Sequence, residues 1–98
     1  MPLPHEDIRT RVNVECVIPM TENASTGYRW TALHSDELKV EKVYAVFNKN
    51  DMRVGGPASI YFRVKSDTPG DYDLILTLAR SWNGQVADTM RYIVHVEQ

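Results

Sequence analysis

The sequence predicts an all-β protein built as a two-sheet β-sandwich of about seven to eight strands. Apolar residues recur at every second position in several short runs, and turn-forming residues separate those runs. No window of eleven residues holds the 3.6-residue stripe of an amphipathic helix. The 98 residues suffice for one domain. We expect residues 1–7 to form a flexible N-terminal tail and residues 8–98 to form that domain.

The first two strands flank a polar loop. The first strand alternates apolar residues with mostly polar ones, at Val12, Val14, Cys16 and Ile18. The second strand begins with Tyr28 and Trp30. We expect Trp30 to be the buried tryptophan at the centre of the sandwich.

The next apolar stretch changes phase along its length. Its apolar residues are Leu38 and Val40, followed by Val43, Ala45 and Phe47. The change falls near Lys42, and a slip of one position along a strand predicts a β-bulge there.

Three further runs complete the pattern: Ile60, Phe62 and Val64; Tyr72, Leu74, Leu76 and Leu78; and Tyr92, Val94 and Val96. Tyr72 follows Gly70 by two residues, where the longest alternating strand begins. This placement is typical of a tyrosine corner, in which a phenol hydroxyl bonds to upstream backbone at the edge of an immunoglobulin-like sandwich.

Composition excludes several classes of function. The 11 Lys and Arg residues are outnumbered by 13 Asp and Glu and do not cluster, which argues against a nucleic-acid partner. The single cysteine excludes an internal disulfide and a multi-cysteine zinc site. No run approaches the roughly 20 apolar residues that span a membrane. No signal-peptide pattern appears at the N-terminus, which favours a cytoplasmic protein unless a leader has been removed.

The sequence contains no convincing catalytic group. His34, Ser35 and Asp36 are consecutive, so they cannot converge on one reacting atom as a triad does, and a polar turn is the better interpretation. Gly55 and Gly56 lack the spacing of a phosphate-binding loop. We therefore expect a protein that is not an enzyme and that uses no metal or cofactor.

Two loops instead combine large aromatic residues with Gly and Arg, the residue types that are common in binding hot spots. They are residues 23–30 and 80–84. Trp82 precedes Asn83-Gly84, a strong turn pair, so we expect it to lie exposed near a loop tip and to contact a partner.

These loops resemble those of the chagasin family, the immunoglobulin-like inhibitors of papain-family cysteine peptidases. That family has a first loop of the form Asn-Pro-Thr-Thr-Gly-aromatic, a second Gly-rich loop, and a third loop of the form Arg-Pro-Trp or Arg-Pro-Phe. The corresponding residues here are Asn23, Ala24, Ser25, Thr26, Gly27 and Tyr28 in the first loop, Gly55, Gly56, Pro57 and Ala58 in the second, and Arg80, Ser81 and Trp82 in the third. The resemblance covers roughly residues 10–98.

The sequence departs from the family pattern at three loop positions. Ala24 and Ser81 replace the prolines of the first and third loops, and Ser25 replaces a threonine. Losing a proline removes a fixed φ angle, so ordering the first loop on binding costs about 0.4–1 kcal/mol more. We expect these changes to lower potency rather than to change the function.

The resemblance implies a reversible, tight-binding inhibitor that is monomeric when unbound and whose partner is a papain-like, cathepsin-type peptidase. Three loops would enter the active-site cleft together, with Thr26 and Gly27 closest to the catalytic Cys–His pair. The second loop would run close to one side of the cleft, and Trp82 would stack on aromatic surface at the other. Arg80 would either support its loop or meet a carboxylate.

Residues 23–25 also form an N-glycosylation sequon. A glycan at Asn23 would obstruct the first loop, which favours a cytosolic or bacterial setting without that modification. The alternative function is an immunoglobulin-like interaction or adhesion module with no peptidase target, and an enzyme comes third.

Overall fold

A computed structural model describes residues 4–23, 26–44, 57–80 and 82–98. The described strands are β1 (His5–Arg11), β2 (Cys16–Asn23), β3 (Tyr28–His34), β4 (Lys39–Tyr44), β5 (Pro57–Lys65), β6 (Gly70–Arg80) and β7 (Val86–Glu97). They form a four-stranded sheet in the order β1-β7-β6-β3 and a three-stranded sheet in the order β2-β5-β4. This arrangement confirms the predicted two-sheet sandwich.

The core lies between the two sheets and follows the predicted alternation in β5, β6 and β7. The buried apolar side chains are Ile18, Trp30, Leu38, Ile60, Phe62, Val64, Leu74, Leu76, Tyr92, Val94 and Val96. Trp30 is 5% exposed, as expected for the central tryptophan. The core thus anchors the strands whose ends carry the loops.

The N-terminal strand differs from the prediction in its position. β1 begins at His5 and pairs in parallel with β7, so residues 5–7 belong to the folded domain rather than to a tail. The predicted strand from Val12 to Ile18 is interrupted by a turn, in which Asn13 has a φ of 61° and Val14 is exposed. A left-handed residue breaks a strand, so β2 starts only at Cys16.

The bulge predicted near Lys42 is absent from the described strand β4, which pairs with β5 without a shift from Lys39 to Tyr44. Lys42 lies opposite the buried Phe62. It therefore occupies an inward position, where it binds the carboxylate of Glu22. The alternation of apolar residues is therefore interrupted because an inward position holds a paired charge, and not because the strand register slips. Ala45 and Phe47 lie outside the described residues.

The tyrosine corner is confirmed at the start of β6. The Tyr72 hydroxyl donates a hydrogen bond to the Thr68 carbonyl at 2.9 Å, and the Pro69 carbonyl lies 3.2 Å away. Gly70 has a φ of 153°, and a Cβ atom placed there would lie 3.0 Å from the Tyr72 hydroxyl oxygen. This corner fixes the turn between β5 and β6.

The pairing register brings three connections to one end of the sandwich. Tyr28 pairs with Arg80, and Asn23 pairs with Pro57. The strands begin or end there at Asn23, Tyr28, Tyr44, Pro57, Arg80 and Val86. We call this end the loop pole. The turns at residues 11–16, 34–39 and 65–70 lie at the other end, the opposite pole.

Candidate functional site

An aromatic and cationic cluster lies at the loop pole. Tyr28 begins β3 and Arg80 ends β6, and the two residues are direct cross-strand partners. The Arg80 guanidinium lies 4.6 Å from the centre of the Tyr28 ring and 5.6 Å from the centre of the Trp82 ring. Both distances suit cation–π contact, so one arginine links the two aromatic side chains.

The first and third loops touch directly within this cluster. Gly27 has a φ of 77°, and a Cβ atom placed there would overlap the carbons of the Trp82 indole. Only glycine combines this backbone angle with such a close approach at low cost. Gly27 therefore lets the Trp82 ring lie directly against the backbone of the first loop at this residue.

The hairpin between β6 and β7 holds Trp82 outward. The Gly84 N–H donates to the Arg80 carbonyl at 2.9 Å, and the Arg80 N–H donates to the Gln85 carbonyl at 3.0 Å. Asn83 accepts from the Gln85 N–H through its side-chain oxygen. The resulting tight turn leaves Trp82 66% exposed at its tip, in the position that the Asn83-Gly84 pair predicted.

Thr26 is exposed and directly precedes Gly27, the residue that contacts Trp82. The Tyr28 N–H lies 3.4 Å from the Thr26 hydroxyl oxygen, the geometry of a short turn in which a side chain accepts from the backbone two residues later. This turn stiffens the exit from the first loop.

Beneath the cluster lies a buried carboxylate. Among the described residues, Glu22 and Ser66 are the buried polar ones. The Oε2 atom of Glu22 accepts from Lys42 Nζ at 2.7 Å and from the Trp30 N–H at 2.9 Å. Its Oε1 atom accepts from Arg29 Nη1 and from the Tyr44 hydroxyl, both at 3.2 Å. We call these five residues the Glu22 cluster.

The Glu22 cluster keeps its carboxylate ionised. Burial alone would raise the pKa of Glu22, but the hydrogen bonds from Lys42, the Trp30 N–H and Arg29 outweigh burial and hold that pKa below 4.5. Trp30 is fixed as well, because its indole N–H donates to the Thr21 carbonyl at 3.0 Å.

Neither Glu22 nor Lys42 was a site residue in the sequence prediction. The available signal was their phase: Glu22 falls in step with Ile18 and Met20, and Lys42 falls in step with Val40. A charge on the inward phase of a strand needs a partner, and two such charges of opposite sign could have been matched.

Most of the predicted third loop and part of the first are brought together. Thr26, Gly27 and Tyr28 lie beside Arg80 and Trp82. The backbones of Asn23, Pro57 and Ala58 belong to the paired strands β2 and β5. Five predicted residues lie outside the described part of the chain: Ala24, Ser25, Gly55, Gly56 and Ser81.

The other groups considered in the sequence lie away from the loop pole or are absent from the described residues. His34 ends β3, and Ser35 and Asp36 form the turn that follows it at the opposite pole. Within residues 4–23, 26–44, 57–80 and 82–98, no group of three or more His, Cys, Asp or Glu side chains could hold a metal ion. The same residues include no helix that is long and apolar enough to cross a membrane.

Solved structures share this fold. The cysteine protease inhibitor EhICP2 from Entamoeba histolytica has a TM-score of 0.74 and 22% identity, covering 95% of this chain and 87% of its own. Amebosin has a TM-score of 0.71 and 19% identity, with 96% and 99% covered. PbICP-C, solved in complex with falcipain-2, has a TM-score of 0.57 and 19% identity, with 96% and 88% covered. No curated protein sequence is significantly similar.

The family comparison covers nearly the whole chain. Residues 9–96 match the profile of the Chagasin family peptidase inhibitor I42. The protein therefore belongs to the chagasin family and is an inhibitor of cysteine peptidases rather than an enzyme.

Proposed function

We propose that this chain inhibits papain-family cysteine peptidases reversibly by placing its loop pole in the active-site cleft. The observation that carries the proposal is the contact between Gly27 and Trp82, because it joins two loops into one exposed edge. A rigid edge loses little conformational entropy when it binds, so more of its contact energy appears as affinity.

The first loop would occupy the centre of the cleft. Thr26 is exposed there, and Gly27 presents no side chain beyond its backbone. A segment that lies across the catalytic Cys–His pair without offering a carbonyl carbon in the attacking geometry blocks the enzyme and is not cleaved. The turn between Thr26 and Tyr28 supports this role by stiffening the segment.

Trp82 would supply the main hot spot of the interface. It exposes 66% of its surface although Arg80 and Gly27 hold it on the inner side. Its free surface suits stacking on aromatic side chains of the peptidase. The two stacking contacts of Arg80 favour its support of the loop over a direct bond to a peptidase carboxylate.

The second loop would flank the other side of the cleft. Gly55 and Gly56 precede Pro57, where β5 begins beside Asn23. Without Cβ atoms, the two glycines would let the backbone approach the enzyme closely. Three loops of this size would bury on the order of 800 Å² on each partner, as in a standard protease–inhibitor interface.

Two similar proteins support this target class. EhICP2 is described as a cysteine protease inhibitor, and PbICP-C was solved in complex with falcipain-2. At identities of 22% and 19% these two structures support the fold, and the proposed mode of binding rests on the loop residues of this chain.

Titration of active papain, or of a cathepsin L-type peptidase, with the purified protein tests the proposal. We expect activity to fall in proportion to added protein until one equivalent is present, and to return slowly on dilution. Full activity at micromolar protein would contradict inhibition and would favour the interaction module instead.

Replacing Trp82 tests the binding surface within the same assay. We expect Trp82→Ala to raise the inhibition constant at least ~30-fold, about 2 kcal/mol. The matched control is Leu33→Ala, because Leu33 is 69% exposed but lies near the opposite pole. Equal inhibition constants for the two variants would remove Trp82 from the interface.

A further inference from the structure

We propose that Glu22 and Lys42 are positioning residues, which fix the strand ends on either side of the inhibitory loops although they need not touch the peptidase. This inference rests on the proposed function, because it explains how the loop pole keeps one shape. The contacts of the Glu22 cluster carry it.

The carboxylate joins the two stems of the first loop. Glu22 lies one residue before Asn23, where β2 ends, so its backbone belongs to the entering stem. Its side chain accepts hydrogen bonds from Arg29 and from the Trp30 N–H, which belong to the leaving stem in β3. One buried group therefore sets the distance between the points where the loop begins and ends.

The same carboxylate reaches the strand that leads toward the second loop. Tyr44 is the last residue of β4, and its hydroxyl lies 3.2 Å from Glu22 Oε1. Lys42, two residues earlier, makes the 2.7 Å ion pair and lies 5.2 Å from the centre of the Tyr44 ring. The ends of β2 and β4 and the start of β3 are thus tied together at one point.

The ion pair also completes an open sheet edge. β3 is an outer strand of its sheet, so no other described strand pairs with Trp30 on that side. Glu22 accepts from its N–H at 2.9 Å, and Lys42 Nζ donates to its carbonyl at 2.9 Å. Two side chains from the other sheet replace the hydrogen bonds that a further strand would make.

Directional bonds distinguish this arrangement from ordinary core packing. An apolar pair of similar volume would close the sandwich as well or better, because removing two charges from water is costly. Apolar contacts leave the relative twist of neighbouring strand ends loosely determined, whereas four hydrogen bonds to one carboxylate fix it. The loop pole is where such precision matters, since a displacement of about 1 Å can cost up to a hundredfold in function.

Glu22→Gln tests the inference, because glutamine keeps the size of the side chain and removes its charge. We expect the inhibition constant to rise about tenfold to a hundredfold. We also expect faster hydrogen exchange at the amides of residues 26–30, measured without peptidase. The matched control is Glu15→Gln, which removes an exposed ion pair with Arg63 near the opposite pole and should change neither quantity.

The amides of Val94 and Val96 report global stability in the same experiment, because both residues are buried in β7. If they exchange faster in step with Trp30, Glu22 is a general stability residue and the positioning role is overturned. Unchanged exchange at residues 26–30, or an unchanged inhibition constant, would overturn it too. If the unmodified chain inhibits no papain-family peptidase, the proposed function fails, while the exchange comparison still decides the role of Glu22.

A milder variant covers the case in which Glu22→Gln does not fold. Tyr44→Phe removes a single hydroxyl from a side chain that is 48% exposed, so the fold should survive. We expect a smaller change of the same kind, about threefold in the inhibition constant, together with faster exchange at residues 26–30. No change in either quantity would contradict the inference.

Discussion

At the scale of single residues, Gly27 is the position where the backbone and the proposed interface constrain each other. Its φ of 77° disfavours any other residue, and the Trp82 indole fills the space that a side chain would need. Trp82 is an exposed side chain and can move aside, so a methyl group at residue 27 would displace the ring rather than unfold the chain.

Gly84 provides a matched control for that effect. It has a φ of 68°, and nothing lies within 4 Å of the Cβ that alanine would add. Gly27→Ala and Gly84→Ala should therefore cost similar backbone strain, on the order of 1 kcal/mol each. We expect Gly27→Ala to weaken inhibition about tenfold more than Gly84→Ala does, and to shift the Trp82 fluorescence more strongly. Equal losses in the two variants would show that the contact with Trp82 contributes nothing.

Individual residues also show how far the sequence predicts the site. The burial of Trp30 within a strand and the exposure of Trp82 beside a turn pair were predicted correctly from position alone. The bond between Glu22 and Lys42 was not predicted, because its partners are 20 residues apart and lie on two strands, β2 and β4, that flank β5 in one sheet. Local patterns reveal an unusual charge, whereas only the tertiary fold reveals its partner.

At the scale of elements, β1 depends on polar bonds across the outer face of the larger sheet. The ring nitrogens of His95 in β7 lie 2.6 Å from Asp71 in β6 and 2.8 Å from Asp7 in β1. His5 lies 3.5 Å from Asp7, and Arg9 is the cross-strand partner of His95. A protonated His95 donates to both carboxylates and so links three strands.

These bonds make the contribution of β1 to the stability of the folded chain depend on pH. The hydrogen bonds with Asp7 and Asp71 raise the pKa of His95 above its usual 6.5, although Arg9 opposes the shift. The hydrogen bond with His95 lowers the pKa of Asp7 below its usual 3.8. The stabilisation is therefore fully present below pH 6.5 and is lost as pH rises through the higher pKa of folded His95. At the acid end it is lost as pH falls through the lowered pKa of Asp7.

His95→Gln should reveal this dependence in thermal unfolding. We expect the variant to unfold at a lower temperature than the unmodified chain at pH 5, and the difference to shrink at pH 8. His34→Gln is the control, because His34 lies on β3 outside this set of bonds. A difference for His95→Gln that is the same at both pH values would contradict the assignment.

Strands differ in how well the sequence predicted them, for a physical reason. β5, β6 and β7 bury one face against the other sheet, which enforces clean alternation in their sequences. β1 lies at the sheet edge, and only Ile8 and Thr10 of its seven residues are partly buried. A polar edge strand resembles a tail in sequence, and its parallel partner lies at the far end of the chain.

At the scale of the whole molecule, strand direction decides where the loops lie. The register of β2 with β5 and of β3 with β6 brings the ends that flank the three predicted loops to the loop pole. The spacing of residues in the sequence carries no information on such directions, so this gathering was implied only by the resemblance to a family. It is also the feature on which cleft occlusion depends.

Hydrogen exchange of the inhibitor bound to a papain-family peptidase tests that dependence most directly. We predict protection on binding at residues 26–30 and 80–85, with no change in the turns at residues 11–16 and 65–70 of the opposite pole. Protection confined to the opposite pole, or to the outer face of either sheet, would contradict the account.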